Sequence, residues 1–488
     1  MNRAALSFAA FAAAFCVCRA EAAAGRASKA PPAGSYAIAV DSATAADREW
    51  SQVVEALKKK RSAEVLRYED GDVAGVLPGL KKLSPRYVCF VSMPEKAGRG
   101  LVVASAQIVR KINDDPYADA YWGILTGYEA GDALKAIALD RPLETRTLFT
   151  SQGGPHTLDD WDAGFVSDEG NGSNFWLKKP GAAGAEAVAC VPDNSAPLAD
   201  ALSAQGADIA ITSGHASERD WQVVFNQNLG YLRHENGSLF MFDKEKGRHP
   251  VVSPNPKIYM ASGNCLIGHI DRRDCMATSW MHSGGAVQMA GYTVPTFYGY
   301  MGWGLKNLYM SGVYSFAEAY FYINQLLLME LAKADAKLLA EKIAADDVAD
   351  MPKFMRRMSD SGIAGDARGL LWERDTVAFY GDPAWCAALP GAKAAYEIER
   401  SGDRISIRFN RKTVYPERVT RGAPSAVAVP LDEPLPAGAA LIDAKTGKAA
   451  DGAVVARLFV LIPLKGEFDK GSTAEWTISI SKKTPSGT

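Results

Sequence analysis

An excess of charge of either sign is missing from this chain. Its 54 Lys and Arg face 56 Asp and Glu, so composition gives no argument for nucleic acid or an anionic membrane as a partner. Long apolar runs are also scarce. One, Ala4 to Val17, follows Arg3 and leads to the small residues around Ala20-Glu21-Ala22. That is the layout of a secretory signal peptide over residues 1–24, too short for a spanning helix. The other, Tyr314 to Ala332, contains Glu318, Asn324, Gln325 and Glu330 and reads as a buried helix, not a membrane span. Cysteine is sparse too. Beyond Cys16 and Cys18 in the leader, the chain holds Cys89, Cys190, Cys265, Cys275 and Cys386. An export route permits disulfides, but an odd set leaves at least one thiol unpaired. Secretion to the periplasm, the cell surface or the medium is the expected destination.

What is present is a strand and helix alternation. Tyr36–Val40, Ala63–Tyr68 and Arg86–Met93 read as strands, with helices over Ala45–Arg61, Val73–Leu83 and Val102–Ile112. Such alternation predicts a mostly parallel sheet with helices on both faces. Residues 151–184 lack periodicity and read as a long surface excursion. Its His156, Asp159, Asp160 and Asp162 suit a solvated loop first and a metal site second. The alternation resumes at residue 197 and runs to Gly381-Asp382-Pro383. From Lys393 short period-two strands follow, including Arg404–Phe409, Leu458–Ile462 and Trp476–Ile480. These predict a β-sandwich, immunoglobulin-like, over 393–484. The α/β part divides as an N-terminal subdomain, 34–195, and a second one, 196–390.

Two short units inside the second subdomain share one grammar. Ile209-Ala210-Ile211-Thr212-Ser213-Gly214-His215 is a buried-strand pattern that breaks at Ser-Gly and presents an imidazole. Lys257-Ile258-Tyr259-Met260-Ala261-Ser262-Gly263-Asn264-Cys265 repeats the pattern and presents a thiol. In open α/β sheets chemistry gathers at the carboxyl ends of strands. A thiol becomes a nucleophile when a nearby imidazole takes its proton. Cys265 is therefore the candidate nucleophile and His215 its general acid and base. The backbone amides of Gly214 and Cys265 are candidates for an oxyanion hole. His269 and His282, close to Cys265 in sequence, are the other imidazoles to watch. A buried, inert Cys265 is the competing reading.

The segment from about 115 to 385 resembles the gingipain-like cysteine peptidases, relatives of the caspases and legumains. The resemblance rests on five stretches in order: Pro116-Tyr117-Ala118-Asp119, Ser213-Gly214-His215, Asn264-Cys265-Leu266-Ile267-Gly268, Gly284–Thr293, and Gly381-Asp382-Pro383. Ala216 departs from the family's usual Gly after the His. The resemblance implies a three-layer α/β catalytic region of two subdomains followed by a β-sandwich. It also implies hydrolysis of a protein or peptide substrate through a Cys-His dyad. No organic cofactor is implied, and calcium in the acidic loops is the one ion it leaves open. The implied substrate pocket is walled by Gln288 to Thr293, Tyr292 above all, by Tyr298 to Trp303, and by the loop around Asp119. An acidic base to that pocket would be Asp119 or a residue of Asp159 to Asp168, while Arg272 or Arg273 would serve an acidic substrate. Asp119 and Asp160 are candidates for a third, orienting carboxylate. Two rivals use the same residues: a catalytically inactive binding protein of this fold, and a periplasmic ligand-binding protein of two α/β halves.

Overall fold

The computed structural model describes residues 35–480 apart from 169–173, 189–194, 205, 224–229, 244–246, 417–421, 434 and 436–437. The leader, Cys16, Cys18 and Cys190 lie outside the described residues.

Four strands open the chain: β1 (Tyr36–Asp41), β2 (Glu64–Tyr68), β3 (Tyr87–Val91) and β4 (Tyr121–Leu125). Every residue of β1 and β4 is buried. That is the unbroken apolar pattern of strands covered on both faces. After the two-residue β5 (Leu143–Glu144) come β6 (Thr147–Thr150), β7 (Ala163–Ser167), β8 (Phe175–Lys178) and β9 (Glu186–Val188). β10 (Ile209–Gly214) precedes four strands, β11 (Asp220–Gln222), β12 (Tyr231–Glu235), β13 (Ser238–Asp243) and β14 (Gly247–Pro250), which form a separate antiparallel sheet. β15 (Lys257–Asn264), β16 (Ala286–Tyr292) and β17 (Val377–Tyr380) complete the set. One 12-stranded sheet runs β2-β1-β3-β4-β17-β16-β15-β10-β6-β7-β8-β9.

The seam of that sheet is the antiparallel pair β16–β17. β17 runs parallel to β4, whereas β6, β10, β15 and β16 run parallel to one another on the other side. The carboxyl ends of β10 and β15 thus share an edge with the start of β4. The carboxyl ends of β1, β3 and β4 lie at the opposite edge. A division at 195 does not follow this seam. β6 to β9 pair into the second half, and β17, far along the chain, closes the first. The stretch 151–184 is likewise no simple excursion, since β7 is buried along its whole length.

The first long helix breaks in two, Ser42–Ala46 and Trp50–Arg61. Asp47 causes the break by accepting from the amides of Glu49 and Trp50 at 2.9 Å each, the local bonding that draws Asp out of helix interiors. The apolar run near 320 is the helix Phe316–Asp335, packed under β4. Phe321 meets Tyr121 at 4.3 Å between ring centres. Its polar residues all have partners: Gln325 accepts from the Ala118 amide at 2.9 Å, Asn324 donates to the Arg374 carbonyl at 3.0 Å, and Glu330 accepts from Ser425 at 2.6 Å. Among the described residues no helix is long and apolar enough to cross a membrane. From 396 to 480 the described elements are strands, in antiparallel sheets of four, three and two. Phe459 from these strands packs on Phe321 at 5.6 Å.

Candidate active site

β10 and β15 end together. Ser213 pairs with Gly263 and Gly214 with Asn264, after a register shift that skips Ser262. His215 and Cys265 are the next residues on each strand, so neighbouring strands deliver them to one edge. His215 is exposed and Cys265 half-buried. Cys89, Cys275 and Cys386 are unpaired thiols as well, but all three are buried. Burial pushes the thiols of Cys89, Cys275 and Cys386 up, away from the thiolate that reacts.

The two strand ends are tied to each other. Asn264 Nδ2 donates to the Gly214 carbonyl at 3.1 Å, and its Oδ1 accepts from Thr212 Oγ1 at 2.6 Å. The buried Trp221 donates from Nε1 to the Ser213 carbonyl at 2.7 Å. Gly214 has φ +112°, and a Cβ there would sit 3.1 Å from the Gln222 carbonyl oxygen; only glycine fits this turn without strain. The residue after the thiol, Leu266, holds φ +59° without being glycine. That conformation costs roughly 1–2 kcal/mol. It is kept in place by the Leu266 amide donating to the Val294 carbonyl at 3.2 Å and the Gly268 amide to the Tyr292 carbonyl at 2.9 Å. Such residues cluster at active sites, where the surrounding fold overrides the local preference.

The far wall is the segment 293–299 and the helix Tyr300–Met310. The Thr296 amide donates to Cys265 Sγ at 3.3 Å. Trp303 is half-buried, with Cζ2 3.4 Å from where a Cβ on Gly263 would lie. Lys306 lies 5.3 Å from that indole ring and donates to Gln152 Oε1 at 2.5 Å. Gln152 follows the end of β6, so the β6 side of this edge carries a cation.

Residues without a sequence signature hold this wall. Glu373, fully buried, accepts from the amides of Gly299 and Met301 (2.8 Å for Met301) and from the Tyr292 hydroxyl at 3.3 Å. Tyr292 OH in turn accepts from the Gly302 amide at 2.9 Å. Arg99 donates from Nε and Nη2 to the Thr293 carbonyl at 2.9 and 2.7 Å. Beside it His269 Nδ1 lies 2.8 Å from Glu218 Oε1 and 3.3 Å from Arg99 Nη2. Burial is the largest influence and works to raise the Glu218 carboxyl, but the hydrogen bonds it accepts and the nearby His269 and Arg219 together leave the group below its usual range. Ring proximity to Cys265 in sequence is the one signal that pointed to His269. Nothing marked Glu218, Glu373 or Arg99.

Two implied pocket residues are elsewhere. Gln288 pairs with Ile258 at the start of β15, the opposite edge from Cys265. Its Nε2 donates to the carbonyls of Asp382 and Trp385 at 2.9 Å each. Asp119 is on the right edge but three strand spacings from β15, about 14 Å, and only 1% exposed. It accepts from the Asn113 amide at 2.9 Å and lies 3.6 Å from Arg457 Nε. Its role is to dock the C-terminal strands, not to line a cleft. Tyr292 is fully buried beneath the 293–299 segment, which leaves Trp303 as the implied wall residue that reaches the site. The Asp382 carboxylate accepts from Tyr36 OH at 2.8 Å and from Arg61 at 2.8 and 2.6 Å, so the Gly-Asp-Pro turn clamps the first half-sheet. In the 159–162 loop, Asp159 pairs with His156 at 3.0 Å and Asp162 with Arg146 at 3.3 Å, both exposed.

Burial pushes the Glu373 carboxyl up to about 7, outweighing the donors that favour its ionised form. The sign follows from linkage: its stabilisation is full below the unfolded pKa, about 4.3, and is lost as pH rises through about 7. Asp119, pushed up to about 7 mainly by burial, adds slope of the same sign. The melting temperature should therefore fall between pH 5 and 8, and Glu373→Gln should flatten that fall in part. Calorimetry at constant ionic strength measures it. Superimposable profiles for the two proteins would refute this role of Glu373.

No protein-family model and no curated protein matches the chain. Solved structures that align with it include the complex of Porphyromonas gingivalis RgpB pro- and mature domains. That alignment has 12% identity, covers 91% of this chain and 93% of the other, and has a TM-score of 0.36. Another is described as the structure of a protease, with 10% identity, 91% and 94% coverage, and a TM-score of 0.38. At such scores the likeness carries no argument, and the function must be argued from the geometry of the site.

Proposed function

We propose that the chain is an exported cysteine endopeptidase in which Cys265 attacks a peptide carbonyl. In this reading the thiol gives its proton to His215 as the S–C bond forms. The imidazolium then protonates the leaving amine, and water hydrolyses the thioester. The backbone amides of Gly214 and Cys265 are the proposed donors to the oxyanion. The observation that supports the reading best is the joint ending of β10 and β15, paired at Gly214 and Asn264, the residues just before His215 and Cys265. No organic cofactor enters this chemistry. Substrate preference is proposed to be set beside Trp303, the aromatic wall nearest the thiol edge.

One further observation favours a variant of this reading. His269 follows Cys265 by four residues and already has a carboxylate at Nδ1, the arrangement that orients a general base in a triad. Hydrolysis of internally quenched peptides differing only in Asp, Asn, Lys or Arg before the scissile bond tests both versions. His215→Ala should lower kcat/KM by about a hundredfold or more, and His269→Ala by much less. The reverse order would move the base to His269. Absence of any thiol-dependent hydrolysis in the intact, refolded chain would favour the inactive binding protein.

A further inference from the structure

We propose that Glu129, Asp132 and His282 form a divalent transition-metal site, of the class that takes Zn2+, at the sheet edge opposite Cys265. One ligand atom from each residue lies within 4.8 Å of the others. His282 Nδ1 is 3.0 Å from both carboxylate oxygens of Asp132. Donors that share a zinc ion at about 2.0–2.2 Å are separated by about 3.0–3.5 Å, so the pair already has a chelating separation. Imidazole with carboxylates suits zinc and its neighbours; calcium prefers an all-oxygen shell of six to eight ligands.

A second observation points the same way. Thr126, directly after β4, is 5% exposed, and its hydroxyl has no hydrogen-bond partner among the described residues. Thr126 lines the same small cleft as Asp132, together with Tyr380 and Gly381. A buried hydroxyl without a partner is costly, and this one borders the cleft that Asp132 also lines. The imidazole is held for the task. Tyr128 lies 5.1 Å from its ring, and a Cβ on Gly237 would meet His282 Cδ2 at 2.9 Å.

Groups already facing the site are its competitors. Asp132 Oδ2 accepts from the Glu129 amide at 3.1 Å, and Lys135 Nζ lies 3.5 Å from Asp132 Oδ1. The Lys135 side chain is 72% exposed and can swing into water at little cost. Glu129 is exposed, and its side chain already accepts from the Asp132 backbone amide in a capping box, so it is a third group the ion would have to share. The consequence is structural. Glu129 and Asp132 open the helix Ala130–Ile137 after β4, whereas His282 ends the helix Met276–His282 after β15. An ion there ties the two oppositely running half-sheets together and adds stability by mass action.

The test is competition of the metal-stripped chain with a chromophoric zinc chelator, alongside calorimetric melting with and without Zn2+. One ion per chain and a raised melting temperature are expected. His282→Ala should weaken binding at least about tenfold, while His156→Ala and His234→Ala should not. Glu129→Gln, at an exposed position, gives the same reading without a folding risk. Absence of stoichiometric binding overturns the proposal. So does binding that survives both His282→Ala and Glu129→Gln, or Ca2+ binding in place of Zn2+.

Discussion

Asp375→Ala is expected to destabilise the protein by about 3–5 kcal/mol, the largest single effect on folding anticipated here. Asp375 is fully buried. Arg374 donates to its Oδ2 from Nε at 3.0 Å and Nη2 at 2.8 Å, and Arg110 pairs with it at 2.7 Å. Arg374 also donates to the carbonyls of Leu338 at 3.0 Å and Glu341 at 2.7 Å, which pins the chain leading from the Phe316–Asp335 helix. Removing the carboxylate leaves two guanidiniums inside without a counter-charge. Burial alone would raise the Asp375 carboxyl, yet the two guanidiniums hold it below its usual range. Its stabilisation is therefore full above the unfolded pKa, about 3.9, and disappears as pH falls through the lower folded value. Urea unfolding at pH 7 measures the loss, and a change under about 1 kcal/mol would contradict the account.

Cys265→Ala should have the opposite profile: hydrolysis falls by at least about a thousandfold, with stability changed by no more than about 1 kcal/mol. The thiol is half-buried and accepts only a long contact, 3.3 Å, from the Thr296 amide among the described residues. Neutral hydrogen bonds contribute about 1 kcal/mol. Cys89→Ala, Cys275→Ala and Cys386→Ala should invert the pattern, costing stability at buried sites while leaving turnover intact. Activity surviving Cys265→Ala would end the nucleophile assignment.

The buried parallel strands were legible because residues such as Tyr36–Val40 and Ile209–Thr212 are apolar without interruption, as strands covered on both faces must be. The joint ending of β10 and β15 at Gly214 and Asn264 followed from the same grammar, since Ser-Gly breaks mark where strands stop. The seam was not legible. β17 is four residues, and its partner β4 lies some 250 positions earlier in the chain; no local pattern encodes that pairing. β7 was hidden by its surroundings, a buried strand in a stretch rich in Gly, Asp and Asn. Asp119 and Gln288 failed as pocket residues for a related reason. Sequence order puts them near implied motifs, but the antiparallel seam and the C-terminal strands decide what they face. Glu373 carried no signal at all, because a carboxylate bonded to backbone amides looks in sequence like any helix-end glutamate.

The measurement that bears most directly on the central claim is mass mapping of the covalent adduct formed with a peptidyl acyloxymethyl ketone, a reagent that alkylates activated thiols held in a peptide-binding site. One adduct per chain is expected, located on Cys265, lost in Cys265→Ala and strongly slowed in His215→Ala. Labelling spread over several cysteines, or labelling of Cys265 at the same rate with and without His215, would contradict it.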